Sequence, residues 1–190
     1  MSTTAKGSVV TAGWEYMRGA YGDEAWQRVL DHLTDEDREL VAAARYTARF
    51  PVAVDGRVFE ALVATKFEGN RLIAERELRR GGGAQADAML NGIFSVFARI
   101  ASPRLAFKRA GSIISSVYDG TSSVTEEDAD ESGGIVHLHG LGESTFIAPW
   151  QCGWIEGALK HFGAASPRVT EESWEAGLDA SDHLKYRVRF

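Results

Sequence analysis

A single cysteine, Cys152, in a chain of 190 residues excludes an intrachain disulfide and a cysteine-based zinc site, so packing has to supply the stability. No apolar run is long enough to span a bilayer, and Met1 to Gly7 lacks the apolar core of a secretory signal. The expectation is a cytoplasmic protein without a membrane span. Basic charge is in deficit, with 21 Lys and Arg against 27 Asp and Glu and a net charge of -6, which repels phosphate backbones and argues against a nucleic-acid partner. The one basic cluster, Arg76, Arg79 and Arg80, has the spacing of a solvated helix face. Internal repeats and low-complexity tracts are also lacking.

What is present is ordinary for a folded protein: 44% hydrophobic and 25% charged residues, in a length that one core can serve. A single domain over 1–190 is the expectation. The first half has helical periodicity. Trp14, Met17 and Tyr21 share one stripe, and Trp26, Val29, Leu30 and Leu33 another, with a break at Gly22. Thr34 and Asp37 have the spacing of a capping box that opens a third helix, through Val41 and Ala44 and ending before Pro51. Val58, Phe59, Leu62 and Val63, then Leu72, Ile73 and Leu78, continue helical character up to Gly81-Gly82-Gly83, where a break or flexible turn is expected. Met89 to Ile100 is apolar around much of its circumference and predicts a buried central helix. Ser102-Pro103 then opens one more helix through Ile113 to Val117.

The pattern changes after the acidic stretch Ser122 to Ser132. Ile135 to His139 alternates as a strand, with a hairpin expected across Gly133-Gly134. A helix over about 147–162 follows, with Trp150, Trp154 and Leu159 on its apolar side and Gly163 as its stop. Arg168 to Trp174 and Leu184 to Phe190 read as a second hairpin. Helices first and strands later define an α+β fold: a helical N-terminal half packed on a small antiparallel sheet.

Several of these segments resemble a known family. Lys6-Gly7-Ser8-Val9, Tyr21 to Leu30, Ser102-Pro103, Gly153 to Ala158 and Tyr186 to Phe190 are similar to an uncharacterised family abundant in myxobacteria. That family in turn resembles the 4-vinyl reductase domain, haem nitric-oxide-binding domains and Bet3-like components of vesicle-tethering complexes. The resemblance implies a helical layer, an antiparallel sheet and often an apolar cavity between them. It does not carry chemistry across, because the matching residues are mainly glycines and apolar positions. The cysteine that many 4-vinyl reductase-like domains place before the last strand is missing from Ala180 to Leu184. The tyrosine-serine-arginine signature for haem propionates is missing too, and no cofactor is assigned.

The candidate site residues follow from these readings. Phe94, Phe97, Trp150, Cys152 and Trp154 would line a pocket between the two principal helices, which is where the resemblance implies a cavity. An ordinary core produces the same stripe. Cys152 has no activating partner, since His161 on the same helix is about 13 Å along its axis. His137 and His139 project from one face of a strand and make two imidazoles available to a metal, against the simpler reading of a solvent-facing pair. Gly81-Gly82-Gly83 has neither the preceding strand nor the lysine of a phosphate loop. The acidic segment lacks the alternating ligands of a calcium loop and reads as a solvated hairpin tip. With no catalytic constellation in view, the expectation is a non-catalytic sensor or adaptor that binds a small apolar ligand and a protein partner or a second copy of itself. The alternatives are a structural or interaction module with a filled core and, last, an enzyme acting on a tetrapyrrole-like substrate.

Overall fold

The computed structural model describes residues 3–91, 102–141, 146–172 and 183–190. In sequence order the described elements are β1 (Thr4–Lys6), α1 (Gly7–Tyr21), α2 (Asp23–His32), α3 (Asp35–Ala43), β2 (Arg49–Pro51), α4 (Val52–Lys66) and α5 (Arg71–Asn91). There follow α6 (Pro103–Lys108), α7 (Ala110–Val117), β3 (Tyr118–Asp119), β4 (Ser122–Glu127), β5 (Gly133–His139), α8 (Ile147–His161), β6 (Arg168–Glu171) and β7 (His183–Arg189). Helices dominate the N-terminal part and a four-stranded antiparallel sheet, ordered β4-β5-β7-β6, the C-terminal part. The mixed α+β class expected from the pattern is the class observed.

Local chemistry accounts for most boundaries. Val9, Val10, Trp14 and Met17 give α1 its buried stripe. Gly22, at φ 87°, closes α1 and opens α2, a backbone turn that a side chain would disfavour. Thr34 caps α3 by accepting from the Asp37 N–H at 3.2 Å. The Asp37 carboxylate does not return the bond as a capping box would. It takes two bonds of 2.6 Å from Arg57, tying α3 to α4. Ser102 caps α6 by accepting from the Leu105 N–H, with Pro103 in the first turn.

Helix α8 is the shared wall of the molecule. Trp150 belongs to the core of the helical half, which is filled by Trp14, Met17, Phe50, Val58, Phe59 and Leu62. Ala148, Cys152 and Leu159 belong to the core against the sheet, with Val136, Leu138, Tyr186 and Val188. Ala158 closes a third, small cluster with Ala86 and Leu90.

Five expectations change. The triple glycine is not a break: Gly81 to Gly83 lie inside the 21-residue helix α5. A Cβ on Gly82 would sit 1.9 Å from the carbonyl oxygen of Trp150, and one on Gly153 would sit 1.8 Å from that of Arg79. The glycines are there so that α5 and α8 can touch backbone to backbone, and that contact outweighs their low helix propensity. Second, the first half is not purely helical, because β1 pairs with β2 and β3 in a separate small sheet. These strands have only two or three residues, too few to show alternation. Third, the helix after Ser102 divides at Arg109 into α6 and α7. Fourth, the hairpin turns at Asp128 to Ser132, closed by Asp128 N–H to Gly133 O at 3.0 Å, while Gly133 and Gly134 begin β5. Fifth, the acidic turn is not simply solvated: Arg104 and Lys108 grip Glu127, and Arg187 and Arg189 grip Asp128. The predicted central helix over Met89 to Ile100 falls mostly outside the described residues; Met89 and Leu90 end α5.

Candidate functional site

Where α1, α4, α5, β3 and α8 meet, polar side chains converge inside the apolar core. The indole of Trp150 enters this junction from α8 through a slot left by glycines: a Cβ on Gly81 would come within 2.3 Å of the ring, and one on Gly13 within 3.3 Å. The ring packs 5.1 Å from Phe59 and 6.0 Å from Tyr16, centroid to centroid. Its Nε1–H donates to Gln85 Oε1 at 2.9 Å, and Gln85 Nε2 donates to the Val9 carbonyl at 2.6 Å. Beside it, Trp14 Nε1–H donates to Asp55 Oδ1 and Gln151 Nε2 donates to the Tyr118 hydroxyl oxygen, each at 2.9 Å.

These groups surround a cavity of about 20 Å³ lined by Asp55, Gln85, Tyr118, Gln151 and Trp150, with Val9, Val10, Val52 and Phe59 among its apolar walls. A cavity needs roughly 10–15 Å³ of such volume to hold one water, so this one takes a ligand of about that size. Asp55 is half-buried and lines the cavity from the inward stripe of α4. Burial pushes its carboxyl up to about 7 while the Trp14 bond pulls the other way. Burial, followed by the nearby Asp55 charge, lifts the Tyr118 phenol well above its ordinary range.

The aromatic and cysteine candidates do not share this space. Trp150 is in it. Cys152, two residues on, points to the other side of α8 and lines a groove of about 410 Å³ with Leu72, Glu75, Arg76, Arg79, Pro149 and Glu171. Burial pushes its thiol up to about 12, which keeps it protonated and unreactive. Trp154 packs with Phe162 against Ala86, Leu90 and Ala158. Phe94 and Phe97 lie outside the described residues. Arg79, expected on a solvated face, is held by Glu156 at 2.6 Å and by the Val169 carbonyl.

The two histidines gain a third that the spacing did not reveal. His137 Nδ1 is 3.0 Å from His183 Nε2, and His139 stacks on His183 with ring centroids 4.2 Å apart. His137 Nε2 is 3.5 Å from Glu126 Oε1. Burial, then the charges of His139 and His137, lowers the pKa of His183. Among the described residues no three histidine, cysteine or acidic groups converge to hold a metal ion.

Sequence reasoning missed Asp55, Gln85, Tyr118 and Gln151. A signal existed for Asp55: it lies three residues from Val52 and Val58 and four from Phe59, on the buried stripe of α4. A carboxylate in that register has to face the interior. Tyr118 carried no such signal, because its strand is two residues long.

No family model matches the chain, and no curated protein matches it. Solved structures do. An Fe(II) unliganded H-NOX protein from K. algicida matches at a TM-score of 0.69 and 13% identity, over 97% of this chain and 95% of that one. A variant of the same protein matches at a TM-score of 0.70 and 12% identity, over the same shares. A Cs H-NOX variant matches at 0.62 and 17% identity, over 97% of this chain and 96% of that one. The architecture is therefore that of the H-NOX domains, the haem-NO-binding fold. One such match concerns haem redox potential and porphyrin distortion, so haem has to be tested against the residues here.

The residues around the interlayer cavity do not fit it. A cofactor of that size needs a pocket of about 300–1,000 Å³, and Trp150 with its glycine slot leaves about 20 Å³. None of the five histidines in the sequence lines the cavity, so no imidazole is in place to bind iron there. No helix among the described residues is long and apolar enough to cross a membrane.

Proposed function

We propose that this protein is a non-catalytic sensor or adaptor domain on the H-NOX fold that works without resident haem and communicates with a protein partner or a second copy of itself. One observation carries the reading: an H-NOX architecture over 97% of the sequence, with an interlayer junction that Trp150 fills and that keeps only a small cavity of mixed polar and apolar lining. That no catalytic constellation assembles among the described residues supports it. The one cysteine is buried and held protonated, and Asp55 has no histidine or lysine beside it among the described residues. The ligand class that suits the junction is small and able to hydrogen-bond, because the second Asp55 oxygen, on the cavity wall, accepts no bond among the described residues. A single cytoplasmic domain, kin to the 4-vinyl reductase and Bet3-like domains as well, belongs to the same reading.

Expression with ample haem precursor, followed by absorption spectroscopy and native against denaturing mass spectrometry, tests it. The expected result is no Soret band and no haem mass. Stoichiometric haem would overturn the reading. The packing of α5 on α8 favours a second reading, an interaction module whose core is simply filled. A small mass excess lost on denaturation separates the sensor from that module.

A further inference from the structure

The Asp55 cavity has an unbalanced inventory of charge and hydrogen bonds. Asp55 accepts one bond, from Trp14 to Oδ1, and no ion pair reaches it among the described residues. From α1 it is faced by Trp14, from α5 by Gln85, from β3 by Tyr118 and from α8 by Gln151. Of these only Tyr118 titrates, and it stays neutral. No lysine, arginine or histidine among the described residues lines the cavity; the nearby Arg49 is engaged by Asp119 and the Val117 carbonyl. A carboxylate drawn this far into the core with one hydrogen bond and no ionic partner is costly. It has to keep a proton or take a cation. The walls supply acceptors for a cation: the second Asp55 oxygen and the Gln151 amide oxygen, with the Tyr118 and Gln85 oxygens each already accepting one bond and keeping a second lone pair.

We propose that this cavity binds one unhydrated monovalent cation of ammonium or potassium size, with Asp55 as its counter-charge. The volume of about 20 Å³ admits such an ion and excludes alkylated ammonium ions. The inference rests on reading the junction as the ligand site. It is tested separately from the haem-free reading, which stands or falls on the spectrum and the mass.

Thermal unfolding of the 190-residue chain at pH 8, in ammonium, potassium or tetramethylammonium chloride at equal ionic strength, is the experiment. Ammonium, potassium or both should raise Tm progressively with concentration relative to tetramethylammonium. Ammonium alone would indicate recognition through N–H donors, and both together recognition by size and charge. The effect should vanish in Asp55→Asn, whose amide oxygen still accepts from Trp14, and at pH 5, where the proton takes the place of the cation. Tyr118→Phe, which keeps the ring, should weaken it and provides a second variant should Asp55→Asn not fold. Equal Tm values in the three salts at pH 8, or an ammonium effect undiminished in Asp55→Asn, would overturn the proposal.

Discussion

Asp55 departs from the rules that govern the rest of its helix. Its neighbours on the stripe, Val52, Val58, Phe59 and Leu62, are all buried, and a leucine at 55 would have satisfied the pattern. Burial raises its pKa to about 7, well above the ordinary value in an unfolded polypeptide. The folded state then holds a proton that the unfolded state has released between about pH 4 and pH 7. That contribution to stability is full below the unfolded value and is lost as pH rises through about 7. Asp55→Asn removes the loss while keeping the Trp14 bond. In tetramethylammonium buffers the variant should therefore gain on the order of 2 kcal/mol on wild type between pH 5 and pH 8, part of the full linkage value being relieved by the cavity. Urea denaturation at the two pH values measures it, and a gap independent of pH would contradict the assignment.

At the scale of elements, α5 shows why one triplet of glycines had two readings. Three consecutive glycines are a strong breaker signal in a sequence, yet here the first two, Gly81 and Gly82, meet α8 at distances no side chain permits. Gly82 and Gly83 make this testable. A Cβ on Gly82 would meet the Trp150 backbone at 1.9 Å, whereas one on Gly83 would meet only the Gly153 carbonyl, at an ordinary 3.6 Å. Gly82→Ala should push the two helices apart and cost about 3 kcal/mol or more. Gly83→Ala should stabilise by about 0.5–1 kcal/mol through helix propensity alone. Midpoints of chemical denaturation compare them directly; two losses of equal size would count against the close packing. The stops and caps at Gly22, Thr34, Ser102 and Gly163 were legible because they act within a few residues. The two- and three-residue strands β1 to β3 were not, because their pairing joins residues some 45 to 115 positions apart and leaves no local pattern.

For the molecule as a whole, Arg79 joins what α8 separates. From α5 it forks onto Glu156 of α8 and reaches the Val169 carbonyl of β6, while Glu156 accepts from the Val169 N–H at 2.9 Å. Helical layer and sheet thus share one partly buried charge network. Arg79→Ala strands Glu156, whose side chain is 19% exposed, and should cost about 2–4 kcal/mol, somewhat less than a fully buried pair. A lowered urea midpoint with an unchanged m-value is the expected signature. A drop in m-value would mean instead that the two layers had come to unfold separately.

The sequence by itself determined the α+β class, the caps at Thr34 and Ser102 and the strands β5 to β7 of the larger sheet, because these follow from periodicity and short-range hydrogen bonding. Tertiary structure alone decided the junction. The acid of one helix, the amides of two others and a tyrosine from a two-residue strand become neighbours only when glycines let α5 and α8 close and Trp150 fills the gap. Contacts between distant segments leave no trace in local pattern, and it is such contacts that bring Asp55, Gln85, Tyr118 and Gln151 to one small cavity beside Trp150.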